Sequence, residues 1–397
     1  MGSLLSTLVG VVAALGVIAA VFIGLNVALN AASQRMEERL RPWLFVGPAM
    51  LFLIVALIVP AIRTIVLSFR GGDRGDEGFT LSTWTDRLTD DDVISFERVG
   101  DIFTSRLFLV SIVLLAVGLG LGARAGRASG VGAADRRRSI DASNPVVSIL
   151  LVAAVVGALM AVFSTLRGVI WNNLWWVVVV AGLATLFGLA LAVLADRSRK
   201  ETAAKTFIFM PMAISLVGAA VIFKYLYDTP GAGQSEGLLN ILWPGGPIDF
   251  LRGSTPSGTM APWNNFFIMV IMIWIQTGFA MVVLSAAIKG VSADLLEAAR
   301  VDGANEAQVF WRITLPQIRS TVIVVITTLT ITVLKIFDLV KATTGGAADT
   351  DVLANRMVDE LRNGNFTQSS SFAVMILVLV LPVMYLNVRR ARQEAAR

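Results

Sequence analysis

An all-α, polytopic bundle of membrane-spanning helices is the fold class this sequence predicts, on three observations. Residues of hydrophobic type make up 56% of the 397-residue chain and its mean hydropathy is +0.74, more apolar surface than a water-soluble core hides. The apolar residues fall in about nine blocks, each near the ~20 residues a helix needs to cross ~30 Å of hydrocarbon. The basic residues collect between alternate blocks, the mark of chain segments kept on the cytoplasmic side.

The predicted spans are Leu4–Ala31, Trp43–Phe69, Leu107–Gly122, Val146–Phe163, Leu174–Ala195, Thr206–Tyr227, Trp263–Ile288, Ile318–Lys341 and Phe372–Val388. With the polar segment Lys289–Arg319 inside, alternation also places Ser33–Pro42, Ala123–Asn144, Asp196–Lys205 and Arg389–Arg397 inside. These segments hold twenty of the thirty-three Lys and Arg, including the triplet Arg136, Arg137, Arg138. The acidic run Asp90, Asp91, Asp92 then falls in the outside loop Arg70–Arg106. This asymmetry predicts a multi-pass protein with its N-terminus outside and its C-terminus inside. In the first block the basic residues Arg35, Arg39 and Arg41 follow the apolar run rather than precede it, so it reads as a retained helix and not a cleaved signal. The loop Asp228–Pro262, rich in Gly and Pro, is expected to be irregular.

Composition excludes several chemistries. The chain has no Cys and no His, which removes disulfides, thiolate metal sites and imidazole proton relays, and no metal site is expected. The net charge of +5 is accounted for by the inside segments and is no signal for nucleic acid. No catalytic residues are assigned: the Asp90–Asp92 cluster reads as a solvated loop.

Polar groups within spans face a bundle interior or a water-filled cavity. Gln276, Thr277, Lys335, Asp338 and Tyr225 are therefore the candidates for a solute pathway. Lys335 and Asp338 are three apart, which in one helix sets them on one face as a pair. Trp171, Trp175 and Trp176 read as an interfacial aromatic belt, and Lys224 and Lys341 as side chains snorkelling to the interface.

The stretch Glu297–Pro316 is too charged to span a membrane and too patterned for an idle loop. Leu295, Leu296 and Ala299 recur at helical spacing, Asp302-Gly303 breaks the helix, and Val309, Phe310 and Ile313 line one face of a second short helix. Pro316 marks the return to the membrane. The pattern predicts a helix–turn–helix lying against the membrane with one face offered to a soluble partner.

Glu297, Ala298, Ala299, Gly303, Ala304, Phe310, Ile313, Leu315 and Pro316 resemble, at all nine fixed positions, the EAA loop of ATP-binding-cassette importer permeases. The resemblance implies that the stretch is a coupling helix seated in a cleft of a cytoplasmic ATPase dimer. Glu297, with Asp302, supplies polar contacts, Gly303 the turn, and Ala298, Ala299 and Ala304 close approach. Phe310, Ile313, Leu315 and Pro316 anchor the loop to its own bundle. The run Ile336–Gly346, Thr350–Met357 and Ser371–Arg390 resembles the maltose-type sugar permeases, most of all those for α-glucosides, although Gln368, Ser369, Ser370 and Ser371 depart from the Gly-containing entry of the last helix. The resemblance implies a six-helix permease core in spans two, five, six, seven, eight and nine, with extra N-terminal helices. The expected organisation is 1–42, an extra helix and basic linker; 43–73, the first core helix; 74–171, the acidic loop, two extra helices and a basic loop; and 172–397, the core with its coupling loop at 289–317. Implied partners are the ATPase dimer, a second homologous permease subunit, an extracytoplasmic solute-binding protein and the bilayer. The chain has no GxxxxGK[ST] loop, so ATP and Mg are expected on the ATPase and no cofactor on this chain. An ion-coupled secondary transporter is the alternative; it calls for a midplane ion site and inverted repeats, and the sequence displays neither.

Overall fold

The computed structural model describes residues 16, 23–24, 46–47, 49–96, 99–128, 145–166, 168–196, 200–227, 237–242, 249–251, 254–255, 258–259 and 263–395. The chain divides into two units, Met1–Phe69 and Arg70–Arg397. Most of the predicted span Leu4–Ala31, the segment Ser33–Pro42, the triplet Arg136–Arg138 and most of the loop Asp228–Pro262 lie outside the described residues.

The first unit contributes α1 (Ala49–Ser68), with a π-helical turn at Ile54–Ile58. It is apolar all round and exposes its large side chains from Leu51 to Val59, the surface of a helix made for lipid or for other helices.

The second unit begins with short helices α2 (Ser82–Leu88) and α3 (Val99–Thr104). Helices α4 (Arg106–Ala128) and α5 (Pro145–Thr165) follow and pack on each other. Next come α6 (Val169–Asp196), which carries a π-helical turn at Val177–Ala181, α7 (Glu201–Ala213), α8 (Leu216–Tyr227) and α9 (Leu238–Leu242). A minimal antiparallel hairpin, β1 (Ser254–Thr255) with β2 (Gly258–Thr259), precedes the 27-residue α10 (Trp263–Lys289). The remainder is α11 (Ala293–Val301), α12 (Glu306–Gln317), α13 (Arg319–Leu334), α14 (Asp338–Thr343), α15 (Leu353–Arg362) and α16 (Phe366–Ala395).

Among the described residues, five helices (α1, α4, α6, α10 and α16) are long and apolar enough to cross a membrane, or seven spans if the bent pairs α7–α8 and α12–α13 each count once. The nine predicted spans are not reached: within α5 the apolar stretch Val146–Val162 is shorter, and Leu4–Ala31 is among the described residues only at 16 and 23–24. Two spans predicted as single helices are broken. In Thr206–Tyr227 the axis turns by 96°. Pro211 sits in a 3-10 turn, Ile214 goes extended (φ −83°, ψ 134°), and Ser215 Oγ accepts from Gly218 N at 3.0 Å to start α8. In Ile318–Lys341 helix α13 stops at Leu334 and a separate α14 begins at Asp338. A further bend, of 67°, separates α12 from α13, two residues after Pro316.

Helices α6, α10 and α13 form the centre. One buried cluster gathers Trp176, Ile268, Met269, Met272, Val333 and Leu339; a second gathers Ala184, Ala192, Ala280, Met281, Leu284 and Leu329. Lipid tails are as apolar as Leu, so in a bilayer such helices adhere by close packing rather than by escape from water. The second cluster accordingly consists largely of small residues, and at its middle Gly188 of α6 meets Ala280 of α10. A Cβ at position 188 would lie 2.5 Å from Ala280 Cβ and 2.9 Å from Met281 N. Gly188→Ala is therefore expected to force the two helices apart and lower stability by about 1–3 kcal/mol, as overpacking does. Gly182→Ala, where the added methyl meets nothing within 4 Å, is the control. Thermal midpoints of the purified protein in detergent check the pair: a drop for G188A alone is the expected outcome.

Candidate functional site

The hairpin around Glu297 is built almost wholly from local bonds. Asp294 in the first turn of α11 and Arg300 in its last turn complement the helix dipole. The helix closes in a Schellman motif: Ala304 N donates to Ala299 O at 3.0 Å, Gly303 N donates to Arg300 O at 3.1 Å, and Gly303 takes φ +85°, a conformation that glycine adopts without a Cβ penalty. Asn305 then starts α12 with a capping box. Its Oδ1 accepts from Gln308 N, and its own N donates to Gln308 Oε1, both at 2.9 Å. An exposed ion pair, Arg300 Nε to Glu306 Oε1 at 2.9 Å, crosses the turn.

The helix–turn–helix predicted around Glu297 is thus present, and its polar face is open: Glu297, Ala298, Asp302 and Gly303 are exposed and Ala299 and Ala304 half-buried. Beside them stand apolar side chains the sequence reading did not single out, Val301 at 87% exposure and Trp311 at 66%. The anchoring set is also redistributed. Phe310, Ile313 and Leu315 are half-buried and Pro316 is exposed, while Val309, Thr314 and Ile318 are the buried residues at this end. A shift in side-chain direction explains this: Phe310–Thr314 is π-helical, which turns the α-helical face by a fraction of a turn.

The opposite end of α10 is organised around amides. Asn173 is fully buried; its Nδ2 donates to Leu334 O at 3.2 Å and its Oδ1 accepts from Leu353 N at 2.7 Å, which ties the end of α13 to the start of α15. Asn172 Nδ2 donates to Asp349 O and Asp351 O at 2.7 and 2.9 Å, and Asn264 Nδ2 donates to Ala348 O at 2.5 Å. These bonds hold a loop in which Ala348 and Asp349 both have positive φ. Asp351 lies 2.6 Å from Arg356 Nε and accepts from Asn355 Nδ2 at 2.7 Å; burial pushes its carboxyl up from the ordinary value, against the lowering effect of these partners. A cleft of about 410 Å³ opens here, lined by Asp91, Asp92, Asn172, Asp349, Asp351 and Arg356.

Several sequence expectations are corrected at this end. Asp91 and Asp92 are exposed, in keeping with a solvated loop, while Asp90 pairs with Arg87 and Asp92 lies 3.6 Å from Arg356. Trp175 and Trp176 form no interfacial belt; both are in the core, and Trp176 Nε1 donates to Asn265 Oδ1 at 2.8 Å. Lys341 does not snorkel but pairs with Asp359 at 2.5 Å. Lys335 and Asp338 do not share a helical face: the helix ends between them, no ion pair joins them, and both are exposed. Of the other pathway candidates, Gln276 is half-buried and Tyr225 exposed. Thr277 is buried and donates its hydroxyl to Ile273 O at 2.7 Å, at the edge of an apolar cleft of about 440 Å³ with Phe187, Phe207, Met210 and Trp274. The five candidates are not gathered into either cleft; Thr277 alone lines one.

Comparison with known proteins fits this architecture. The profile of a family described as binding-protein-dependent transport system inner membrane component matches residues 184–389. The alpha-glucoside transport system permease protein AglF of Rhizobium meliloti (strain 1021) is 37% identical over 93% of this chain and 87% of its own length. The osmoprotective compounds uptake permease protein GgtC of Synechocystis sp. is 50% identical over 56% of this chain and 79% of its own length. A crystal structure of a bacterial ABC transporter involved in the import of the acidic polysaccharide alginate superposes with a TM-score of 0.54 at 19% identity, over 90% of this chain and 99% of that one, a likeness of fold.

The Asn173 bridge makes a direct prediction. Asn173→Leu leaves Leu334 O and Leu353 N unpaired in a dry interior, at about 1–3 kcal/mol for each. Thermal or denaturant unfolding of the purified variant checks this.

Proposed function

The chain belongs to the family of binding-protein-dependent transport system inner membrane components, a family of transport subunits rather than enzymes, and we propose that it is the permease subunit of an ATP-driven importer for a carbohydrate of the α-glucoside type. The observation that carries the mechanism is the open face of the inner hairpin. Its backbone groups are satisfied internally, while Glu297, Ala298, Val301, Gly303 and Trp311 are left exposed for another polypeptide. A contiguous patch that mixes small, apolar and charged side chains marks a protein contact. The partner is an ATPase dimer that holds ATP and Mg; Glu297 and Asp302 make polar contacts with it, and Ala298, Ala299 and Ala304 let its surface approach. Phe310, Ile313, Leu315 and Pro316 turn the hairpin back into the bundle.

The same reading places the hairpin and the C-terminus in the cytoplasm and the N-terminus outside, with a second homologous permease subunit completing the solute path and an extracytoplasmic binding protein delivering solute. Binding of ATP shifts the paired permeases between inward- and outward-facing states only to the extent that it binds one state more tightly. The carbohydrate assignment is supported by similar proteins named as permeases for alpha-glucosides and for trehalose and maltose. Gln276, Thr277, Lys335, Asp338 and Tyr225 are the residues proposed to meet solute; Lys335 and Asp338 do so as separate exposed groups on either side of the break after α13.

Two variants test this. Glu297→Lys in the reconstituted complex is expected to abolish sugar-stimulated ATP turnover while membrane insertion persists; normal coupled uptake would remove the coupling role. Asp338→Asn is expected to lose transport with the ATPase still bound, and unchanged sugar affinity and uptake would leave Asp338 a structural residue.

A further inference from the structure

A network of charged groups lies at the inner base of the bundle, apart from the hairpin itself. Lys205 of α7 reaches Asp196 Oδ1, at the end of α6, and Glu201 Oε1, at the start of its own helix, both at 2.5 Å. It also contacts Ser285 Oγ of α10, and Ser285 Oγ donates to Asp196 Oδ1 at 2.8 Å. Lys289, the last residue of α10, pairs with the same Glu201 carboxylate. Two carboxylates and two ammonium groups thus join the ends of three helices, with Lys205 at the centre, its side chain 20% exposed.

The arrangement exceeds what local stability calls for. A Glu201–Lys205 pair four residues apart would support α7 alone. Ser285 is a buried hydroxyl near the end of α10, and both it and Lys289 bring α10 into the network. Only Gly290, Val291 and Ser292 separate Lys289 from the first residue of α11. A force on the hairpin that reaches α10 therefore passes through this network, while the other arm runs through α12 into α13. With Lys205 in place α10 moves together with the facing ends of α6 and α7; without it, the charged network is reduced to the Ser285–Asp196 and Lys289–Glu201 contacts. We infer that Lys205 is a positioning residue which locks the base of the hairpin to α6 and α7, so that motion of the hairpin is delivered to the whole bundle. This rests on the reading of the hairpin as the ATPase contact.

The test uses the complete complex in proteoliposomes, with ATP hydrolysed per solute imported as the readout. Lys205→Met is expected to assemble with the ATPase and hydrolyse ATP, yet raise the ratio of ATP spent to solute moved by about tenfold, within the usual range of coupling between sites. Lys205→Arg, which keeps the charge, is expected to restore the ratio. A purely structural Lys205 would change the amount of complex and not the ratio. An assembled Lys205→Met complex with a wild-type ratio overturns the inference and leaves the permease reading intact; a wild-type complex with no solute-stimulated turnover overturns both. Should Lys205→Met fail to fold, spin labels decide the matter in the functional protein, since the chain has no Cys to replace. Labels at T202C and S292C, two exposed positions on α7 and before α11, are expected to keep one distance with and without ATP. A distance that changes on ATP binding overturns the lock.

Discussion

A backbone polar group within a bilayer has no water to bond, so each interruption of a spanning helix must bring its own partner. Here that partner is Asn173. Its amide caps the carbonyl where α13 stops and supplies an acceptor to the amide where α15 starts. With both ends fixed, the segment between them is free to leave helical geometry, and it does, with Ala348 and Asp349 in a left-handed conformation that costs of order 1–3 kcal/mol each. Asn172 and Asn264 bond to the carbonyls of this loop and hold it in the strained form. The outer cleft exists because of these amides.

The two ends of the bundle meet different demands with different chemistry. At the end around Asn173, neutral amides bond to main chain beside ion pairs such as Arg356–Asp351 and Lys341–Asp359, and the amide bonds are directional and fix a loop in one place. At the end around Lys205, charged groups join helix to helix, and an ion pair tolerates changes of distance and angle better than an amide bond does. The hairpin beyond them closes its own backbone through a Schellman motif and a capping box. It depends on little outside itself for its shape.

What the sequence disclosed follows from how local each signal is. The hairpin was legible because Gly303 and Pro316 act on their immediate neighbours, and α10 because its apolar run has no break. The break near Ser215 had a visible cause in Pro211, but a hydropathy window averages over it. The break after Leu334 has no such marker, which is why Lys335 and Asp338 looked like a pair on one helix. Trp175 and Trp176 were misread for a related reason: an indole near the end of an apolar run suits either an interface or a core, and only the position of Asn265 decides. The Asn173 bridge was out of reach, since its partners lie 161 and 180 residues away in sequence.

Helix α10 is what makes the two ends one machine. It is unbroken for 27 residues, so it spans about 40 Å at 1.5 Å per residue. Near its first turn Asn264 holds the outer loop and Asn265 receives Trp176; near its last turn Ser285 and Lys289 join the inner network. Between them it crosses α6 with no space for a methyl group at Gly188. A straight helix seized at both ends and wedged in the middle transmits displacement with little loss, because its own hydrogen bonds would have to break before it bent. By contrast, α7–α8 and α12–α13 are bent, by 96° and 67°, and it is the unbroken α10 that joins the amide-held loop at one end to the charged network at the other.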